Sequence, residues 1–224
     1  MSKLQKHQIK LIEGAMSVGA LKFGSFVLKS GRNSPYFINA GPLCTGPLIS
    51  AVASGYASLI SQETATSGLA FDVLFGPAYK GIPFAAATAL VLHEKHGIDV
   101  EYAFDRKEVK DHGEGGKMVG ADVKGKRVLI LDDVMTAGTA VRQSIDLIRK
   151  EGGTVVGVVM LLDREEVTVD GRSTVKDIEE IMGGGAKVRP ILLMRDLMTW
   201  LEENGQTEIV EKMKTYYDQY GTKG

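Results

Sequence analysis

Residues 127–140 read RVLILDDVMTAGTA, and the two halves of this stretch follow different rules. Arg127 opens an unbroken apolar run, which predicts a strand over 127–133 buried on both faces. Asp132 and Asp133 close that run. A small, polar segment with a glycine then leads into a helix over about 138–151. In open α/β sheets, ligands bind beyond the carboxyl ends of the strands. A helix entrance there offers backbone N–H groups and the positive end of a dipole, which favour an anion. Gly138 lets the chain approach a ligand closely, and Thr136 and Thr139 add hydroxyls. The two carboxylates beside the loop can accept bonds from sugar hydroxyls or hold a hydrated Mg²⁺. A phosphate next to a polyol describes a phosphosugar. The pair of aspartates alone would read as a capped strand end; the full string at a strand-to-helix switch carries the functional reading.

The flanking sequence repeats this grammar. Strands are predicted over 71–76, 100–106, 154–164 and 187–194, alternating with helices over 81–97 and 174–182, and two helical stretches close the chain. The alternation implies a mostly parallel sheet flanked by helices, an α/β fold. Residues 1–45 stand apart. They hold an amphipathic helix over 3–18 and two short strands near 22–28 and 36–39, which read as a small N-terminal hood on a single domain spanning 1–224. A further helix runs from Pro47 to about Gln62.

Bulk properties narrow the function. The chain has 224 residues, 44% hydrophobic and 25% charged, as in an ordinary soluble globular protein. A formal net charge of -1 argues against a nucleic-acid-binding field. The single cysteine, Cys44, allows no internal disulfide and no cysteine-based zinc site, and points to a reducing, cytoplasmic compartment. The longest apolar runs are too short to cross a bilayer, and the N-terminus lacks the apolar core of a secretory signal. No GxxxxGK[ST] loop occurs, and GEGGKMVG fails the dinucleotide pattern because Met118 stands at its third position.

The string VLILDDVMTAGTA resembles the motif that binds phosphoribosyl pyrophosphate (PRPP) in type I phosphoribosyltransferases. LKFGSFVLKSGRNSPYFINAG, FDVLFGPAYKGIPFA, FDRKEVKDHGEGG and LLDREE together resemble the orotate phosphoribosyltransferase family, in order, from about residue 20 to 165. The resemblance implies transfer of phosphoribose from PRPP to orotate with Mg²⁺, giving orotidine 5′-monophosphate and pyrophosphate. It implies PRPP contacts from Lys29, Tyr79 and Lys80. It assigns Asp132 and Asp133 to the ribose, and Val134, Met135, Thr136, Ala137, Gly138, Thr139 and Ala140 to the 5′-phosphate. Phe37, Ile38, Thr136 and Arg164 fall to orotate. The family commonly has a second aromatic where this chain has Ile38. Mg²⁺ would be held mainly by PRPP and water rather than by protein ligands.

Residues 105–117 carry Arg106, Lys107, Lys110, His112 and Lys117 among three glycines. Most such strings are solvated surface loops. The resemblance makes this one a catalytic lid that reaches a neighbouring subunit's site, hence a homodimer. Its cations would stabilise charge on the departing pyrophosphate, a term typically worth about 3–4 kcal/mol per donor. Arg164 has its own alternatives, an ion pair with Asp163 or Glu165. Its guanidinium suits orotate's carboxylate, which a purine site would not use. Two rivals follow: a transferase for another base, and a non-catalytic PRPP sensor with a basic nucleic-acid face.

Overall fold

A computed structural model of the chain describes residues 3–28, 30–110, 116–135, 137–168 and 170–222, with the backbone alone at 109 and 110. The apolar runs form one sheet. Its parallel strands are β3 (Val73–Gly76), β4 (Glu101–Lys110), β6 (Arg127–Val134), β7 (Thr154–Asp163) and β8 (Lys187–Leu193). The sixth, β5 (Gly116–Gly120), runs antiparallel to β4 at one edge, in the order β5-β4-β3-β6-β7-β8.

The apolar run of β6 explains why both faces are covered. Leu129 and Leu131 enter one core, with residues from α1 (Lys6–Ser17), α2 (Gly46–Ser67), α3 (Gly81–Val91), α6 (Met194–Glu203) and α7 (Thr207–Tyr220). Val128 and Ile130 enter the other, with α4 (Thr139–Lys150) and α5 (Thr174–Met182). A strand with alternate side chains in two cores must be apolar throughout. Local signals set the helix ends. Pro47 lies in the first turn of α2, and Gly68 closes it at φ 69°. A π turn at Leu92–His96 continues α3, and Gly97 ends it at φ 64°.

The hood is the ribbon of β1 (Leu21–Val27) and β2 (Asn33–Ile38). It shares the core of the main domain. Leu21 and Tyr36 belong to the same buried cluster as α6 and α7. Two strands alone bury too little to stand independently.

The expected lid loop takes a different form. Residues 105–110 extend β4 and residues 116–117 start β5, with Asp105 opposite Met118 and Lys110 opposite Gly116. The strand expected over 100–106 is the first part of β4; beyond it, charged residues leave no apolar alternation to read, so the extension to Lys110 and β5 were not visible in the sequence.

The chain builds β3, β4 and β5 outward in one direction, then returns to place β6 on the other side of β3. That reversal opens a crevice between the carboxyl ends of β3 and β6, where open sheets bind ligands. Gly76 and Gly81 shape its first wall. A Cβ on Gly76 would lie 2.2 Å from the Gly81 carbonyl oxygen, and one on Gly81 would lie 2.8 Å from the Gly76 carbonyl carbon. Replacing Gly76 with alanine is therefore predicted to lower unfolding free energy by about 2–3 kcal/mol, as overpacking against backbone does. An unchanged urea midpoint would contradict this contact.

Candidate active site

The wall built on β3 is the loop 77–80. The Ala78 N–H donates to Asp105 Oδ1 on β4 at 2.6 Å, tying the loop to the neighbouring strand. The Ala78–Tyr79 peptide is cis, and the Tyr79 side chain is exposed. Lys80 Nζ donates to Asp133 Oδ2 at 2.8 Å. Two residues 53 positions apart, Lys80 expected to contact PRPP and Asp133 expected to hold its ribose, thus meet across the crevice. Half of the Lys80 side chain is exposed, so the pair contributes under about 1 kcal/mol. An anionic ligand can displace it.

The other wall is the end of β6. The Tyr56 hydroxyl, from α2, donates to the Asp132 carbonyl oxygen at 2.6 Å. The Asp133 N–H donates to Asp132 Oδ1 at 3.0 Å. Burial, reinforced by the neighbouring Asp133 charge, pushes the Asp132 carboxyl up to about 6. Val134 stands opposite Leu162 in the ladder and packs against the first core, while the Met135 side chain is buried in the second. These two side chains are structural, which leaves only their backbone for a ligand. Ala137, Thr139 and Ala140 are exposed around the entrance of α4. Gly138 is buried at φ 70°, and a Cβ there would sit 3.1 Å from Thr174 Cγ2. This positive φ turns the chain from strand to helix.

The hood supplies the third side. Phe37 is partly exposed, with its ring centroid 5.7 Å from that of Phe26. Ile38 packs against the first core. Arg164 follows β7, but β2 covers it, and only 5% of its side chain is exposed. Its Nε donates to Glu166 Oε1 at 2.7 Å and its Nη2 to Ser34 Oγ at 3.0 Å. The guanidinium carbon lies 4.2 Å from the centroid of the Tyr36 ring. The expected alternative partners are engaged elsewhere: Asp163 Oδ1 accepts the Glu165 N–H at 2.7 Å, and Glu165 accepts the Arg195 Nε–H at 2.8 Å. The pair is with Glu166 instead.

Arg106 and Lys107 continue β4 past Asp105, with Lys107 exposed. The Lys110 backbone pairs with Gly116. Lys29, His112, Thr136 and the Lys110 side chain lie outside the described residues. Four supporting residues escaped the sequence reading: Tyr56, Asp105, Ser34 and Glu166. Tyr56 left a trace. It lies between Val52 and Ile60 on the buried face of α2, where a phenol needs a hydrogen-bond partner.

Among the described residues, no three His, Cys, Asp or Glu side chains gather closely enough to hold a metal ion. The crevice offers two carboxylates, one paired with Lys80 and one readily protonated. Such a donor set fits a hydrated divalent cation that takes most of its ligands from a bound phosphate compound.

A family model described as phosphoribosyl transferase domain matches residues 48–191. An orotate phosphoribosyltransferase of Dichelobacter nodosus is 47% identical over 219 residues, covering 97% of each chain. One from Nitrosococcus oceani is 48% identical over 221 residues, covering 98% of each. The solved structure of orotate phosphoribosyltransferase from Francisella tularensis superimposes with a TM-score of 0.81 at 42% identity, covering 94% of this chain and 98% of that one.

The raised Asp132 pKa has a definite sign. The folded chain retains a proton that the unfolded chain releases, so stability falls as pH rises from the ordinary value of 3.8 through about 6. Ligand-free Asp132→Asn protein is predicted to be more stable than the parent at pH 7.5, by on the order of 2 kcal/mol, with the advantage shrinking at pH 5. Urea denaturation at both pH values checks this. A pH-independent difference would refute the buried-carboxyl assignment.

Proposed function

We propose, from the premise that this chain belongs to the orotate phosphoribosyltransferase family, that it transfers the 5-phosphoribosyl group of PRPP to orotate. The products are orotidine 5′-monophosphate and pyrophosphate, a step of pyrimidine nucleotide synthesis. One observation carries this reading on the structural side: Lys80 of the β3 loop and the Asp133 carboxylate of β6 meet at 2.8 Å at the strand-order reversal, beside the entrance of α4.

Each residue then has a physical task. Asp132 and Asp133 accept bonds from the ribose hydroxyls and fix the sugar. The backbone of 135–140 and the entrance of α4 hold the 5′-phosphate. Lys80 exchanges its weak pair with Asp133 for the pyrophosphate, assisted by Tyr79 and Lys29. Arg106, Lys107 and Lys110, on the β4–β5 strand pair, together with His112, stabilise the charge that develops as pyrophosphate leaves. Excluding water there protects the electron-poor ribosyl carbon from hydrolysis. The flat orotate ring packs on Phe37 and Ile38, and its carboxylate pairs with Arg164. Mg²⁺ supplies charge neutralisation on the pyrophosphate when bound, with Asp132 and Asp133 as its protein-side neighbours.

The hairpin has charged residues on both faces, a shape suited to reaching a second copy of the chain, so a homodimer with shared sites is part of this reading. The cytoplasm is the compartment it implies; the described residues include no helix long and apolar enough to cross a membrane. Against a non-catalytic PRPP sensor stand the net charge of -1 and the retained hairpin cations. Against a transferase for another base stands Arg164.

Loss of orotate absorbance on adding PRPP and Mg²⁺ tests the reading, and PRPP binding without orotate consumption would overturn it. Lys110→Ala is predicted to lower kcat at least 100-fold with orotate affinity changed less than threefold, the pattern of a contact made at the transition state. Equal losses in turnover and affinity would assign Lys110 to ground-state binding instead. Arg164→Ala is expected to raise the KM for orotate by about 10- to 100-fold, the equivalent of one charge-assisted pair. An unchanged KM would remove Arg164 from the base site.

A further inference from the structure

Arg164 is gripped by three residues from two separate elements. Ser34 and Tyr36 come from β2, and Glu166 comes from the segment after β7. A buried guanidinium on a long side chain must be fixed this way to present one edge reliably, because each lost contact frees a rotamer. Glu166 is the only carboxylate among the described residues recorded as bonded to it.

Glu166 is itself fixed by the far end of the chain. Glu166 forms a β-bridge with Gly221, just beyond α7. The Val167 N–H donates to the Tyr220 carbonyl oxygen at 2.8 Å, and the Thr222 N–H donates to the Glu165 carbonyl oxygen at 2.7 Å. Arg32, in the turn between β1 and β2, donates from Nη1 to the Val167 carbonyl oxygen at 2.7 Å. Its guanidinium also stacks on the Tyr220 ring, 4.6 Å from the centroid. Hood turn, post-β7 segment and C-terminal segment thus close around one carboxylate.

Two tyrosines mark the same place. The Tyr36 hydroxyl is buried without a hydrogen-bond partner among the described residues. Both tyrosines feel the charges of Arg164 and Glu166, which locates them beside the pair.

We propose that Glu166 is a positioning residue for base recognition, and that the C-terminal segment around Tyr220–Thr222 acts on the base site through it. Glu166 touches no substrate; it sets the direction in which Arg164 meets the substrate carboxylate. The residues after α7 are then a specificity element, although they lie outside the crevice. This inference rests on the assignment of Arg164 to orotate.

The two fail differently in one set of steady-state measurements on the full chain. Glu166→Ala is expected to raise the KM for orotate at least 10-fold, with the KM for PRPP and kcat within twofold. Glu166→Gln keeps an acceptor oxygen at the same place and is expected to restore most of the loss. Arg32→Met, which loosens the clasp without touching Arg164, is expected to raise the orotate KM about threefold, and it supplies the readout if Glu166→Ala does not fold. Parallel rises in both KM values would mean a general structural role and overturn the proposal. So would tighter orotate binding in Glu166→Ala and Glu166→Gln alike, since Glu166 would then compete with the substrate. If Arg164→Ala raises the orotate KM and Glu166→Ala does not, positioning is refuted while the base assignment stands. If Arg164→Ala also leaves it unchanged, both fall.

Discussion

The contact between Gly76 and Gly81 leaves no room for a single methyl group between the end of β3 and the start of α3. That constraint forces the loop 77–80 into a narrow arch. The Ala78 N–H bond to Asp105 fixes the arch sideways against β4. Lys80 is thereby delivered to the carboxyl end of β6, although β6 lies on the other side of β3 from β4. Strand order provides the crevice; the two glycines decide which residues line it.

The charges in that crevice are held loosely on the protein side. The Lys80–Asp133 pair is half exposed and weak. Asp132 sits in surroundings that disfavour its charge, beside a second carboxylate. By contrast, the groups behind these side chains are held firmly. The buried Tyr56 hydroxyl grips the Asp132 backbone, and Met135 is locked in the second core. A firm backbone with uncommitted charges suits the binding of a polyanionic sugar phosphate, because ligand contacts replace weak protein pairs without distorting the sheet. The base side follows another logic. Arg164 is buried and gripped through Nε and Nη2 before any ligand arrives, so its orientation is built into the fold.

Much of this was legible in residue order. The apolar runs of β3, β6, β7 and β8 announced strands buried on both faces, and the string at 127–140 announced a strand-to-helix turn, which falls where the strand order reverses. Three things were not legible. Beyond residue 106 the β4–β5 strand pair carries charged residues on both faces, so that part read as a loop. The anchoring of the hood ribbon was hidden because sequence alone does not reveal that Tyr36 packs into the core beneath α7. For Arg164, assigned to orotate, the alternative in the sequence was an ion pair with a chain neighbour, Asp163 or Glu165, and its actual partner was not visible. The turn at Glu165, with φ 53°, sends that side chain to Arg195 and brings Glu166 to Arg164. Partners set by the direction of a turn, or by elements over a hundred residues away such as Ser34, leave no periodic trace in the chain.

The most direct test of the account is a crystal structure of the chain with PRPP, Mg²⁺ and orotate bound. The account predicts the 5′-phosphate against the backbone of 135–140, the ribose hydroxyls on Asp132 and Asp133, and Lys80 moved from Asp133 to the pyrophosphate. A sugar phosphate bound away from the crevice between β3 and β6, with the Lys80–Asp133 pair intact, would contradict it.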